Sequence, residues 1–189
     1  MKIKLIACLL IGSVFFSIPD HAAAQEFNVG DNVLSLGIGL GGSLGGYSYS
    51  SQTPGISIQF EHGQWDVGGP GTISLGGYLG YKSFRYASPS YYSEKWSYTV
   101  IGIRSAYHYN GLTVQHLDVY GGAMLSYNVL SYTYESNNIT FDNRGGSYPS
   151  ALGFSLYIGG KYYFSNNVAG FLELGYGISY ATIGGSYKF

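Results

Sequence analysis

The residues of this chain best suited to chemistry are an imidazole and a carboxylate close in sequence, His108 and Asp118, with the turn dipeptide Asn110-Gly111 between them. If the flanking segments pair with Tyr109 opposite Leu117, His108 faces Asp118, and a carboxylate beside an imidazole is an acid–base arrangement. No nucleophile is placed beside the two by the pattern, so a structural ion pair is the expected role. Lys161 and Glu173 flank the short turn Ser165-Asn166-Asn167 and are predicted to sit diagonally within reach of each other. Glu61, Lys82, Arg104 and Lys188 complete the charged residues of the alternating segments. His62 and His116 fall at segment ends, where a solvated or interfacial imidazole is expected. No metal-ligand spacing stands out, and no cofactor is expected. Gly37-Ile-Gly39-Leu-Gly41-Gly42 matches G-x-G-x-x-G, but no helix follows to hold a phosphate.

These side chains must be carried by strands. After Gln25 no apolar run approaches the roughly 20 residues of a membrane helix, and the pattern that recurs has period two. Eight segments follow it: 33–41, 55–62, 72–84, 96–109, 117–132, 151–164, one starting near Val168, and one ending at Phe189. The last two run nearly together around Gly177 to Tyr180, so their turn must be tight. Long polar connections, 42–54, 85–95 and 134–150, alternate with shorter ones, 63–71, 110–116 and 165–167. Short turns on one rim and long loops on the other are the asymmetry of an outer-membrane barrel.

Charge placement decides which face points inward. Glu61, Lys82, Arg104, His108, Asp118, Lys161, Glu173 and Lys188 all lie on the face opposite the aliphatic set. A soluble barrel would decorate that face densely with Lys and Glu. Here it is sparse, nearly balanced in sign and padded with Gly and Ser, which suits a narrow lumen. The eight residues are therefore expected to form a structural lumen network, filled out by Tyr120, Tyr157 and Tyr163. The Leu, Ile, Val, Phe and Tyr face then meets lipid, where one Lys or Arg near the midplane would cost about 2–4 kcal/mol.

The amino terminus reads as a processing segment. Lys2 and Lys4 precede an apolar run from Leu5 to Ile18, and Ala22-Ala23-Ala24 supplies small residues before Gln25. Residues 1–24 are expected to be a cleaved signal peptide and 25–189 a single barrel domain. Cys8, the only cysteine, lies in the signal. With a net charge of −1 and 10% charged residues, no basic surface is expected to attract nucleic acid or anionic lipid. The chain carries 30 Gly and 21 Tyr, fitting close strand contacts and lipid–water boundaries respectively.

The strand pattern and the final Gly175-Tyr-Gly-Ile-Ser-Tyr-Ala-Thr-Ile-Gly-Gly-Ser-Tyr-Lys-Phe189 resemble the small OmpA/OmpX-like outer-membrane β-barrels of Gram-negative cell envelopes, over the whole mature chain. The resemblance implies an all-β fold: a closed, antiparallel, eight-stranded transmembrane barrel with up-and-down topology in the cell outer membrane. It implies that Tyr187 and Phe189 carry the signal read by the barrel-assembly machinery. Tyr47, Tyr49, Tyr86, Tyr91, Tyr92, Tyr134 and Tyr148, interleaved with Ser, Asn, Gly and Pro, form a candidate contact surface for an external ligand. The expected role is structural and surface-interacting rather than enzymatic, with outer-membrane lipid as the surrounding partner. Two alternatives stand beside it: a narrow pore for ions or small solutes, and a lipid-modifying enzyme, which would need a Ser/His/acid set at the outer rim.

Overall fold

In the computed structural model, residues 27–42, 50–87, 92–112, 114–136, 139–143, 151–176 and 179–189 are described. They form ten antiparallel strands and no helix: β1 (Asn32–Leu40), β2 (Ser51–Gln52), β3 (Gly55–Asp66), β4 (Gly71–Ala87), β5 (Tyr92–Tyr109), β6 (Leu117–Ser136), β7 (Ile139–Asn143), β8 (Ala151–Tyr163), β9 (Val168–Tyr176) and β10 (Ala181–Lys188). β2 pairs only with β4, and β7 only with β6. The remaining eight pair neighbour to neighbour around a ring that β1 closes against β10, Val33 opposite Lys188 and Leu40 opposite Ala181. Asn32 and Phe189 exchange backbone hydrogen bonds and finish the seam. The fold is a closed eight-stranded antiparallel β-barrel, with no sheet edge left along its wall.

Side-chain alternation sets the two faces. Leu36, Ile38, Ile58, Ile101, Ile103, Leu125, Leu156 and Ile183 are exposed, while Ser35, Gln59, Arg104, Ser155 and Lys161 are buried. The core is thus polar and the exterior oily, the reverse of a water-soluble barrel.

Four strands, β3, β4, β5 and β6, are longer than the hydropathy pattern predicted. β4, β5 and β6 run for 17, 18 and 20 residues, against 9 for β1 and 8 for β10. Residues 85–95, expected as a loop, are mostly a paired hairpin reaching Ala87 opposite Ser93, with only 88–91 between the strands. β6 continues through Tyr134 to Ser136, and β3 passes the expected end at His62 to reach Asp66 through a bulge at Gly63/Trp65. Beyond the rim these segments still alternate, but between aromatic and polar residues rather than apolar and polar. A hydropathy reading sees only a polar stretch, while the backbone ladder continues. The result is a wall of β4, β5 and β6, flanked by β2 on β4 and β7 on β6, standing above one side of the barrel. β4 extends from Lys82 to Ala87 past the last rung it shares with β3, about 20 Å along the strand at ~3.3 Å per residue.

The glycine and tyrosine contents are linked. Across the β6–β8 ladder Tyr157 lies opposite Gly122 and Tyr120 opposite Gly159. A Cβ on either glycine would come within 2.6 Å of the facing ring. Each ring lies over a glycine, so a lumen too narrow for two side chains per rung is filled by one.

Candidate functional site

The lumen is wired by one continuous polar network. Glu61 on β3 takes a 2.6 Å hydrogen bond from Lys161 on β8 and lies 3.5 Å from Arg104 on β5. Arg104 donates to Glu173 on β9 at 2.7 Å, and the Tyr120 hydroxyl donates to the same carboxylate at 3.3 Å. Asp118 on β6 lies 2.9 Å from His108 Nδ1 and 3.9 Å from Lys161 Nζ. The cations also lie over rings, Arg104 at 4.1 Å from Tyr157 and Lys161 at 4.1 Å from Tyr120. Six of the eight predicted lumen residues therefore meet in one cluster. The other two sit apart. Lys188 pairs with Asp31 at 3.7 Å and lies over Tyr163, near the mouth where the short turns gather. Lys82 bonds the Gly41 carbonyl near the opposite mouth.

Two pairings differ from the sequence expectation. The β5–β6 register places Tyr109 opposite Val119 and His108 opposite Tyr120, so Asp118 reaches His108 diagonally. The strands end where expected, at Tyr109 and Leu117, but the ladder is offset by two residues, so Leu117 and Asp118 pair only with β8. Lys161 and Glu173 are diagonal neighbours, yet Lys161 pairs with Glu61 and Glu173 with Arg104. In a closed barrel, residues on opposite walls compete with those on adjacent strands, and strand spacing alone does not reveal that competition.

The structure also brings in residues the sequence did not mark. Ser74 Oγ sits 3.2 Å from His108 Nε2, completing a serine–imidazole–carboxylate chain with Asp118. All three are buried, and Ser74 Oγ accepts the Ala106 N–H at 3.3 Å. Phe27 closes the space above them, its ring stacked on His108 at 3.9 Å and its carbonyl accepting from Asn110 Nδ2 at 3.1 Å. A reacting carbonyl would need room beside the hydroxyl and donors for an oxyanion; Phe27 fills that room. Gly63 makes the peg possible, because a Cβ there would lie 2.0 Å from the Asn28 carbonyl oxygen. The lumen void lined by Arg104, Glu173, Tyr157 and Ser179 measures about 30 Å³, enough for about one water.

At the opposite rim the projecting wall carries aromatic rows on its inner face. Phe84, Trp96 and Tyr132 share one rung across β4–β5–β6, and Tyr86, Glu94 and Tyr134 share the next. Tyr132 donates to Glu94 at 2.8 Å, and Phe84, Trp96 and Leu130 form a buried cluster. Of the candidate loop tyrosines, Tyr86, Tyr92 and Tyr134 lie in strands of this wall rather than in loops. Tyr47, Tyr49, Tyr91 and Tyr148 lie outside the described residues, as does the expected signal segment 1–24. At the seam, Tyr187 and Phe189 point outward with stacked rings, 6.3 Å between centroids.

No protein-family model matches the chain, and no curated protein matches it in sequence. Solved structures do. The crystal structure of Ail, the attachment invasion locus protein of Yersinia pestis, covers 85% of this chain and 99% of its own, at 12% identity and a TM-score of 0.50. The crystal structure of Ail in complex with the heparin analogue sucrose octasulfate gives the same coverage at 11% identity and a TM-score of 0.54. At these identities the likeness establishes the barrel fold.

Proposed function

We propose that this chain is an outer-membrane barrel of the OmpA/OmpX-like class that contacts external partners through the wall above its rim and the loops beside it, and that it is not an enzyme. The observation that carries this is the combination of an oily exterior, a polar interior and one tall, aromatic-lined wall. The oily belt needs lipid around it, since an exposed apolar surface of this extent does not persist in water. The tall wall is more than a strand needs to span a bilayer, about 9–11 residues, so β4, β5 and β6 continue beyond the membrane. Both ends of the described barrel lie at the short-turn mouth, which supports an outward-facing wall. A cleaved leader over residues 1–24 delivers the chain, and Tyr187 and Phe189 carry the assembly signal.

The experiment compares cells displaying the wild-type barrel with a Tyr86→Ala/Tyr134→Ala variant and a Tyr91→Ala/Tyr92→Ala variant. Adhesion to host cells and to heparin-coated surfaces is measured, with heat-modifiable gel migration checking the fold. Reduced adhesion by either folded variant supports the reading. Adhesion unchanged in both removes the wall as a contact surface. The filled lumen argues against the pore reading, and the buried, Phe27-capped position of Ser74 and His108 argues against the lipid-modifying one.

A further inference from the structure

The outward face of the wall changes character in register with a bilayer leaflet. On the β4–β5–β6 ladder the outward rungs, rising from the short-turn mouth, begin Gly71–Tyr109–Val119, Ile73–Tyr107–Gly121 and Leu75–Ser105–Ala123. Gly77–Ile103–Leu125, Leu79–Ile101–Tyr127 and Tyr81–Thr99–Val129 follow, all largely apolar. Ser83–Ser97–Ser131 then forms a row of hydroxyls, in which Ser97 and Ser131 are half-buried and Ser83 is buried against Thr53, and Arg85–Lys95–Thr133 supplies a pair of cations. Tyr81 donates to Ser97 at 3.1 Å and Ser97 to Ser83 at 3.5 Å, so the hydroxyl row is connected.

Arg85 and Lys95 are directly opposite each other and both exposed. Like charges facing across a ladder oppose folding, and among the described residues neither makes an ion pair; Arg85 reaches only the Ser93 hydroxyl, at 3.4 Å. The acidic positions nearest in register are Asp142, opposite Thr133 on the same rung, and Glu135, opposite Ser93 two residues along. An anion bridging the two cations would remove the conflict.

A second, independent feature lies directly below. The exterior holds an apolar groove of about 680 Å³ lined by Leu36, Ile58, Leu79, Tyr81, Thr99 and Gly185. Three of these belong to the two rungs just under the hydroxyl row. The groove exists because Gly185 points outward with no side chain, opposite Leu36 on one side and Gly170 on the other. Its volume falls in the range of ligand-sized sites.

We propose that groove, hydroxyl row and cation pair form one binding site for an outer-leaflet lipid with a phosphorylated headgroup. An acyl chain lies in the groove, headgroup oxygens meet Ser97 and Ser131, and a phosphate bridges the Arg85 guanidinium and the Lys95 ammonium. Arginine supplies the planar fork and lysine a point charge, a combination suited to phosphate. The site rests on the membrane placement proposed above and is separate from the wall's inner face.

The test is native mass spectrometry of the purified, folded barrel with lipopolysaccharide, dephosphorylated lipopolysaccharide and phosphatidylglycerol. The wild type is expected to retain the phosphorylated lipid about tenfold better than its dephosphorylated form. Arg85→Gln/Lys95→Gln should erase that preference, and Gly185→Leu, which fills the groove, should weaken retention of both forms. Gly185 has room for the change, with the nearest atom to an added Cβ at 3.9 Å. Retention of phosphatidylglycerol as well assigns the site to phosphate lipids in general; lipopolysaccharide alone assigns it to the glycolipid. Equal retention by wild type and double variant, or no effect of Gly185→Leu, overturns the site. Failure of the membrane placement itself would show separately, as a barrel that does not enter vesicles in heat-modifiable form.

Discussion

Arg104 is the residue on which the lumen's charge balance turns. It lies between Glu61 and Glu173, at 3.5 and 2.7 Å, with all three side chains largely removed from solvent. Removing one partner of such a cluster strands the others in a poor dielectric. Arg104→Met should destabilise the barrel by about 3–5 kcal/mol, read by urea unfolding followed through tryptophan fluorescence. A loss under 1 kcal/mol would mean that water reaches the carboxylates freely. Ser74 gives the complementary case, since its hydroxyl receives the Ala106 N–H and touches His108. Ser74→Ala should cost about 1–3 kcal/mol through stranded buried partners. The same variant should leave adhesion and lipid profiles untouched; altered lipid acylation would restore the enzyme reading.

At the level of elements, closure depends on a seam with one rung that carries no side chain at all. Gly37 faces Gly184 across β1 and β10, and a Cβ on Gly184 would lie 1.9 Å from the Leu36 carbonyl oxygen. That obstacle is backbone, which cannot swing aside. Gly184→Ala should therefore lower the folded fraction on a heat-modifiable gel, whereas Gly77→Ala, whose Cβ would meet nothing within 4 Å, should fold as wild type. Equal folding by the two would show that the seam adapts. The same economy of space explains Tyr120 and Tyr157 over their facing glycines, an arrangement that stiffens a sheet where side chains are missing.

For the whole molecule, the decisive property is orientation of the two faces. Ile103 is exposed on the outer face, midway along the apolar part of the β4–β5–β6 ladder. Ile103→Arg should cost about 2–4 kcal/mol in a bilayer, measured by denaturant titration in vesicles, with Ile103→Leu near neutral. A neutral arginine would point to a water-soluble barrel. The lumen is also expected to be closed: its network, Phe27 and facing tyrosines leave a void of about 30 Å³ beside Arg104. Planar-bilayer recording should show no discrete steps for the wild type, and reproducible steps would revive the pore.

The period-two alternation by itself determined the eight strands of the barrel and their faces, because burial on one side of a pleat writes directly into the order of residues; β2 and β7 lie in stretches it read as loops. The charged set on one face was legible for the same reason. What only the tertiary structure decided was which charges meet. Ring closure brings β3, β5, β8 and β9 together across the lumen, so Glu61 finds Lys161 and Glu173 finds Arg104. Sequence neighbours carry no trace of those cross-lumen distances. The height of the wall was hidden likewise, since backbone ladders continue through Ser93 and Tyr134 without hydrophobic periodicity to announce them. Phe27 as a peg depends on Gly63 and Asn110 arriving at one mouth, which only the folded barrel arranges.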